Sequence, residues 1–218
     1  MRLMVYPLVK WIIPSIYKLW LKKAEGEGNI PKDKPFIIAA NHSSYYDVIL
    51  PHSIIIPKLN KKIHALVSSI YWKFFIARLI LDWGECIPVY IKKEKDARKK
   101  NDESFRKALG YLDKGEPVMI FPEGTRSPDG KLKKAYSGVA RLALISGAPV
   151  LPIGIINSHK VLPKGKIFPR FTRAWLKIGK PMKFGKHSGR RISNKLLEKT
   201  TRDIMKKIAG LTGQQYRH

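Results

Sequence analysis

The sequence predicts an α/β fold, in which helices flank a mixed, largely parallel sheet. Short apolar runs of strand character at 36–40, 118–121 and 149–157 alternate with segments of helical character. This alternation is typical of a sheet with helices on both faces. The chain has 218 residues, of which 44% are hydrophobic, and this is enough to bury the core of one domain. We therefore predict a single α/β domain over residues 25–218.

The segment before this domain is apolar but interrupted. Residues 1–23 are rich in Trp, Tyr, Ile and Leu, with lysines and two prolines among them. No apolar stretch approaches the roughly 20 residues that a membrane-spanning helix needs. The segment also lacks the compact apolar region and small-residue cleavage site of a secretory signal, so we expect it to be retained in the protein.

On a helical wheel this segment is amphipathic. Lys10, Lys18 and Lys22 share one side, and most of the isoleucines and leucines lie on the other. Such a helix could pack on the core, but aromatic residues beside lysines suit the boundary between acyl chains and anionic headgroups. We predict that residues 1–24 form an N-terminal amphipathic helical membrane-docking segment, and that the protein is peripheral (monotopic) at the cytoplasmic face of the cell membrane.

The other elements follow from hydrophobic periodicity and from glycine and proline breaks. In chain order, we predict a strand at 36–40, a helix at 69–81, a strand at 86–91, a helix that leaves the charged run 92–100 and ends near 115, a strand at 118–121, a loop at 122–130, a helix at 136–146, a strand at 149–157 and a helix at 195–208.

The charge of the chain is strongly basic. Lys and Arg number 43 and Asp and Glu number 16, so the net charge is +27. A surface of this kind suits nucleic acid, anionic lipid headgroups or phosphorylated substrates. The aromatic residues lie in apolar runs rather than among the basic clusters, and no nucleic-acid motif is present, so we expect no nucleic-acid partner.

Several catalytic and cofactor patterns are absent from the sequence. Cys86 is the single cysteine, which excludes an internal disulfide and a cysteine-cluster metal site. The glycine-rich runs at 26–31 and 110–115 lack the third glycine of a dinucleotide fingerprint and the lysine of a phosphate loop, respectively. There is no Gly-x-Ser-x-Gly elbow, and five of the six histidines have no companion at metal-ligand spacing. We expect neither a metal ion nor a cofactor.

The remaining histidine, His42, follows the predicted strand at 36–40 and precedes Asp47 by five residues. On one continuous helix these two side chains would lie on different sides and would not meet. If a helix instead starts at Ser43 or Ser44, the turn brings Asp47 back to the imidazole. The carboxylate would then fix the tautomer and stabilise the imidazolium, as for a general base and its orienting residue. Taken alone, this spacing also suits two residues with only a structural role.

A second candidate is the run Phe-Pro-Glu-Gly-Thr-Arg-Ser at 121–127, which follows the strand at 118–121. Gly124 lets the backbone approach a ligand closely, Thr125 offers a hydroxyl, and Arg126 offers a planar guanidinium suited to phosphate. Glu123 could balance that charge or hold the loop in shape. The alternative is a tight turn with a structural ion pair.

Together, Asn-His-Ser-Ser-Tyr-Tyr-Asp at 41–47 and the run at 121–127 resemble the lysophosphatidic acid acyltransferase (1-acylglycerol-3-phosphate O-acyltransferase) family of glycerophospholipid acyltransferases. The run Ala-Pro-Val-Leu-Pro-Ile-Gly-Ile at 148–155 is similar to the family's fourth motif, so the resemblance covers residues 36–157. One block departs from the family pattern, because Tyr90 stands where arginine is common. Lys92 or Lys93 could supply the missing charge.

The resemblance implies an acyltransferase that forms no covalent acyl-enzyme. His42 would be the general base for the sn-2 hydroxyl of lysophosphatidic acid, and Asp47 would orient it. The resemblance assigns binding of this acceptor to Arg126, Glu123, Gly124, Thr125, Lys92 and Lys93. The donor would be acyl-CoA or acyl-carrier protein, the product phosphatidic acid, and a further partner the anionic membrane surface.

Two alternatives to this function remain open. A protein of the same fold could acylate glycerol-3-phosphate or another lysophospholipid. From a different class, a non-catalytic basic membrane- or nucleic-acid-binding protein would explain the charge but would have no use for His42 and Asp47.

Overall fold

A seven-stranded sheet forms the centre of the computed structural model, which describes residues 18–91, 93–163, 165–166, 168–187 and 192–218. The strands are β1 (Leu21–Glu25), β2 (Ile37–Ala40), β3 (His64–Ser68), β4 (Ile87–Val89), β5 (Val118–Ile120), β6 (Val150–Ile156) and β7 (Ala174–Ile178). Their order across the sheet is β1-β7-β6-β2-β5-β3-β4. Strands β2 to β6 run parallel to one another, whereas β7 is antiparallel to β6 and β1 is parallel to β7. The predicted mixed, largely parallel sheet is confirmed.

Helices cover both faces of this sheet. They are α1 (Tyr46–Leu59), α2 (Phe75–Trp83), α3 (Ala97–Asp113), α4 (Gly138–Ser146), α5 (Ser158–Val161) and α6 (Asn194–Thr212). In the central strand β2, Ile38 and Ala40 belong to the core shared with α1, and Ile37 and Ala39 belong to the core shared with α3, α4 and α6. All four side chains are fully buried, as expected for a parallel strand that is covered on both faces.

The N-terminal prediction differs from the structure over residues 21–24, which were expected to be helical and instead belong to β1. This strand pairs with β7, from Leu21 opposite Ala174 to Glu25 opposite Lys177. The free edge of β7 offers backbone partners that a helix at this position could not use, so tertiary pairing overrides the local helical pattern. The rest of the predicted docking segment, residues 1–17, lies outside the described residues.

The predicted helix at 69–81 is divided in the structure. A 3₁₀ turn at Ser69–Lys73 comes first, Phe74 has an extended backbone, and α2 then begins at Phe75.

The sequence did not predict β3 or β7, because each is only five residues long and polar residues interrupt its apolar pattern. Within the described ranges, no helix is both long enough and apolar enough to cross a membrane.

One edge of the sheet collects the segments that matter for function. Strands β2 to β6 all end at this edge, and β7 and β1 begin there, because they run in the opposite direction. We call it the carboxyl edge. In open sheets of parallel strands, ligands bind in the crevice beyond this edge. The two sequence motifs follow β2 and β5, which are adjacent in the sheet, so the fold brings them together.

Candidate active site

His42 and Asp47 meet in the turn between β2 and α1. The Nδ1 atom of His42 lies 3.1 Å from Oδ2 of Asp47, and the same oxygen accepts hydrogen bonds from the backbone N–H groups of Ser43 and Ser44. Asp47 is fully buried, whereas 15% of the His42 side chain is exposed. When Nδ1–H donates to Asp47, Nε2 keeps its lone pair and can accept a proton. The contact that the sequence predicted between these two residues is present.

This turn is built by short polar side chains. The Ser44 hydroxyl accepts from the backbone N–H of Tyr46 in the first turn of α1, and donates to the carbonyl of Leu162. Asn41 acts as a substitute for a strand residue, since its side-chain amide donates to the carbonyl of Ile155 and accepts from the N–H of the same residue. The amide therefore extends the pairing of β2 with β6 by one step and places His42 just beyond it.

The loop after β5 holds the backbone of His42 on its other side. The N–H of His42 donates to Oε1 of Glu123 at 2.8 Å, and its carbonyl accepts from the N–H of Ser127 at 2.8 Å. The imidazole stacks on the ring of Phe121, with 4.0 Å between ring centroids. These contacts join two motifs that lie 81 residues apart in the sequence, and they leave the histidine little freedom to change orientation.

Glu123 is buried and both of its carboxylate oxygens are engaged by backbone groups. Oε1 accepts from His42, and Oε2 accepts from the N–H of Lys133 at 2.9 Å. Burial raises the pKa of Glu123 to about 7, although the two N–H donors act in the opposite direction. This arrangement favours loop support, one of the two roles expected for Glu123, over direct contact with an acceptor.

Arg126 lies against an aromatic pair. Its guanidinium carbon is 3.6 Å from the ring centroid of Tyr45, and the Tyr45 hydroxyl accepts a hydrogen bond from Tyr71 at 3.2 Å. Burial, followed by this hydrogen bond, raises the pKa of Tyr71. Neither tyrosine was predicted from the sequence to belong to the site. Tyr45 lies inside the first motif, but nothing in the sequence indicates that it contacts Arg126. Tyr71 belongs to the segment after β3, and the position of this segment depends on the order of strands in the sheet.

Two buried polar atoms of this site lack a hydrogen-bond partner. Among the described residues, Oδ1 of Asp47 and Nη1 of Arg126 are the buried side-chain nitrogen or oxygen atoms without one. Buried polar groups in folded proteins are nearly always paired. Since both exceptions belong to the two predicted motifs, the site retains unused capacity to bind a ligand.

Gly124 and Thr125 form the exposed part of the loop. Gly124 has a positive φ of 63°, and a Cβ atom there would lie 2.9 Å from a ring carbon of Tyr136. The backbone conformation therefore favours glycine, and a Cβ atom would also have to displace the Tyr136 ring. The structure explains the glycine without a ligand, and the Thr125 hydroxyl is left open to solvent.

Of the two basic residues proposed to replace the family's arginine at Tyr90, only Lys93 can be placed relative to this site. Lys92 lies outside the described residues. Lys93 is exposed and follows β4, which is separated from β5 by β3. Tyr90, which stands where the family commonly has arginine, has its N–H and carbonyl bound by the side chain of Asn101, each at 2.8 Å. The contacts described for the loop at 121–127 do not include Lys93.

Comparison with known proteins agrees with this site. The family model described as Acyltransferase matches residues 22–156, which include both motifs. The chloroplastic 1-acyl-sn-glycerol-3-phosphate acyltransferase of Arabidopsis thaliana is 30% identical, and its match covers 71% of this chain and 41% of that protein. The 1-acyl-sn-glycerol-3-phosphate acyltransferase of Bacillus subtilis is 29% identical, and its match covers 66% of this chain and 69% of that protein.

A solved structure has the same fold. The crystal structure of the 1-acyl-sn-glycerophosphate (LPA) acyltransferase PlsC from Thermotoga maritima superposes with a TM-score of 0.68 and 26% identity, over 94% of this chain and 78% of that one. The chain spans less than half the length of the two chloroplastic relatives that it matches. Because the family model matches more than half of the chain, the chain belongs to the acyltransferase family, and the predicted membership in its lysophosphatidic acid acyltransferase group is confirmed.

Proposed function

We propose that this protein is a 1-acyl-sn-glycerol-3-phosphate O-acyltransferase. It would transfer an acyl chain from acyl-CoA or acyl-carrier protein to the sn-2 hydroxyl of lysophosphatidic acid, and so make phosphatidic acid. The observation that carries the proposal is the juxtaposition of the His42–Asp47 pair with Arg126, whose Nη1 lacks a partner. A base beside an anion-binding group is what an alcohol that bears a phosphate requires. The names of the relatives support the same acceptor.

His42 acts as the general base in this proposal. Asp47 accepts the hydrogen bond from Nδ1–H, so Nε2 is the nitrogen that can take a proton. Nε2 takes the proton of the acceptor hydroxyl while the hydroxyl oxygen attacks the thioester carbonyl carbon. The tetrahedral intermediate then collapses, the carbon–sulfur bond breaks, and the thiolate takes the proton back from His42. General-base assistance of this kind contributes roughly 10²–10⁴ in rate, and the buried Asp47 carboxylate stabilises the imidazolium that forms in between.

Arg126 binds the acceptor phosphate in this proposal. A guanidinium stacked on an aromatic ring keeps the N–H groups at its edge available in its own plane, and two of them can bind two phosphate oxygens at once. The stacking on Tyr45 holds the group in one orientation. Thr125, exposed on the same loop, offers a further donor. The phosphate would supply the partner that Nη1 lacks.

The test is acyl transfer by the purified protein, with labelled acyl-CoA and acyl-carrier protein as donors. The acceptor panel contains lysophosphatidic acid, glycerol-3-phosphate and lysophosphatidylcholine. We expect turnover with lysophosphatidic acid. Preferred turnover of another acceptor on the panel would contradict the proposed substrate, and no turnover with any pair would contradict the proposed activity.

Two substitutions separate the chemical step from binding. His42→Ala should lower kcat by at least about 10²-fold, whereas Arg126→Ala should mainly raise the KM for lysophosphatidic acid. His187→Ala is the matched control, because only the backbone N–H of His187 makes a described contact, with Leu144. Retained turnover in His42→Ala would remove His42 from the mechanism. An unchanged KM in Arg126→Ala would remove Arg126 from the phosphate site.

A further inference from the structure

Helix α2 exposes its apolar side to solvent. None of its nine residues is buried, and Phe75, Ile76, Leu79 and Ile80 are exposed by 75, 73, 55 and 63%, respectively. At 100° per residue these four side chains lie within one arc of the helix, whereas the smaller Ala77 lies on the other side and is half-buried. A surface helix of a water-soluble domain normally has the reverse arrangement. We call Phe75, Ile76, Leu79 and Ile80 the α2 face.

This face lies beside the proposed active site. The 3₁₀ turn that precedes α2 contributes Tyr71, whose hydroxyl donates to Tyr45, and Tyr45 stacks on Arg126. A continuous set of three side chains therefore connects the start of α2 with the group that would bind the acceptor phosphate.

Other exposed apolar side chains extend this surface along the carboxyl edge. Among the described residues, the large exposed hydrophobic side chains belong to segments that follow the end of β2 to β6 or precede β1 or β7, except Val89, which is the last residue of β4: Leu19, Tyr45, Ile70, Phe74, Val89, Ile91, Tyr136, Phe168 and Phe171, together with the α2 face. Seven strands at about 4.8 Å spacing make this edge roughly 29 Å wide. The apolar residues are thus spread along one side of the molecule and are not collected in a groove.

Basic side chains accompany the α2 face. Lys73 and Arg78 are exposed on the same segment, and Lys93 and Lys95 are exposed just beyond β4, the neighbouring edge strand. Arg78 is partly balanced by Asp82 at 3.5 Å, but the chain as a whole carries a net charge of +27. An apolar helix face with cationic neighbours is the pattern of a helix that lies in the interface of an anionic bilayer.

We propose that α2 inserts its exposed face into the surface of an anionic lipid bilayer and forms a membrane contact separate from residues 1–17. The first described residues, Lys18–Trp20, precede β1, which is at the opposite end of the strand order from β4 and α2. The α2 contact places the Tyr45–Arg126 side of the site against the layer of lipid headgroups. The benefit for catalysis rests on the proposed function, because a lysophospholipid acceptor resides in that layer.

The first experiment compares two triple variants of the full chain in sedimentation with vesicles of equimolar phosphatidylcholine and phosphatidylglycerol. Phe75→Ser, Ile76→Ser and Leu79→Ser remove apolar area without a change of charge. Arg202→Ser, Lys206→Ser and Lys207→Ser remove three exposed charges from α6 and leave α2 intact. We expect the α2 variant to bind on the order of tenfold more weakly or worse, at both low and high salt. The α6 variant should lose affinity mainly at low salt, where charge attraction is least screened.

A second experiment tests the position of α2 directly. An environment-sensitive fluorophore is attached to Ile76→Cys, and to Lys206→Cys as the control. The native thiol reacts little, because burial raises the pKa of Cys86 to about 11 and little nucleophilic thiolate is present at neutral pH. Addition of vesicles should shift the emission of the probe at residue 76 to shorter wavelength and leave the probe at residue 206 unchanged. Equal responses at the two positions would overturn the proposal.

A third comparison separates this proposal from the proposed function. With a short-chain, water-soluble lysophosphatidate, the α2 variant should retain the native rate, and it should lose rate only when the acceptor is embedded in vesicles. If neither protein transfers an acyl chain to any acceptor, the proposed function fails while the vesicle result stands on its own. Native-like vesicle binding by the α2 variant would overturn the membrane contact. A native dimer that this variant converts to a monomer, measured by light scattering, would assign the face to a second copy of the chain instead.

Discussion

At the scale of single residues, carboxylates organise the candidate site by binding backbone N–H groups. Asp47 accepts from Ser43 and Ser44 as well as from the imidazole of His42, and Glu123 accepts from His42 and Lys133. Each carboxylate therefore holds the chain segment that carries the base. A catalytic histidine needs its backbone as well as its ring held in place, because a small error in its orientation lowers the reaction rate.

Glu123 gives a prediction about stability and pH. Its pKa is raised from the ordinary 4.5 to about 7 in the folded protein. Between these values the folded state holds more protons than the unfolded state, so stability falls as pH rises through this window. The fall is on the order of 3 kcal/mol, at about 1.4 kcal/mol per pH unit. Glu123→Gln does not titrate, and its amide group would face a backbone N–H, so we expect it to be clearly less stable than the native protein near pH 5.

The measurement is urea unfolding of both proteins across this pH range. The difference in free energy of unfolding should be largest near pH 5 and should shrink towards pH 8, because only the native protein loses stability as Glu123 ionises. Glu103→Gln, at an exposed position of α3, controls for a general effect of charge. A difference that is the same at every pH would show that Glu123 does not titrate in this window.

At the scale of elements, the C-terminal tail after α6, residues 213–218, holds the loop that follows Arg126. The side chain of Gln214 accepts from the N–H of Leu132 and donates to the carbonyl of Gly130, and the Tyr216 hydroxyl accepts from the N–H of Ala135. Three hydrogen bonds thus fasten a loop that would otherwise have unpaired backbone groups. None of the hydrogen bonds described for the tail reaches the runs at 41–47 and 121–127, so its role follows only from the fold.

This arrangement predicts that the tail affects acceptor binding. Combined Gln214→Ala and Tyr216→Phe should release the loop and raise the KM for lysophosphatidic acid several-fold. The change in kcat should be smaller, because the contact of His42 with Asp47 lies within the turn between β2 and α1. Each lost hydrogen bond should lower the free energy of unfolding by about 1 kcal/mol. Gln215→Ala is the matched control, since the hydrogen bonds described for the Gln215 side chain are both with Arg217 at the end of the chain. Identical effects of the variant and the control would contradict the role of the tail.

At the scale of the whole molecule, the sheet separates two kinds of surface. The exposed apolar side chains in the described ranges lie in the connections at the carboxyl edge, which also holds His42 and Arg126, and on α2, which starts at that edge and runs towards the opposite one. The first strand begins at the same edge, so Lys18–Trp20, which directly precede it, lie there as well. Under the two membrane proposals, the net positive charge attracts the protein to an anionic bilayer, and the apolar contacts orient it with the site facing the bilayer surface.

The position of β1 sharpens the test of the predicted N-terminal docking segment. Deletion of residues 1–17 removes this segment and leaves the sheet intact, and it should weaken sedimentation with anionic vesicles. Deletion of residues 1–24 also removes most of β1, together with Trp20 and Leu21, which pack against the core. We expect the longer deletion to lower the free energy of unfolding by at least about 2 kcal/mol more than the shorter one. Equal sedimentation of the native protein and the shorter deletion would refute the docking role.

The sequence by itself determined the α/β class, the strands that precede each motif and two helices, predicted at 136–146 and 195–208 and found at Gly138–Ser146 and Asn194–Thr212. It also identified His42, Asp47 and Arg126 as the candidates. These features depend on local periodicity and on turn-forming residues, which a linear pattern records. The prediction that a turn after β2 would return Asp47 to His42 was possible because both residues belong to one strand–helix connection.

Only the tertiary structure decided which segments are neighbours. It placed Tyr71 and Tyr45 against Arg126, turned residues 21–25 into an edge strand, used both oxygens of Glu123 for the backbone, and directed the apolar face of α2 outward. The physical reason is that these outcomes depend on the order of strands in the sheet and on which side of a helix finds a partner. Contacts between segments distant in the chain leave no periodic trace in the sequence of either one.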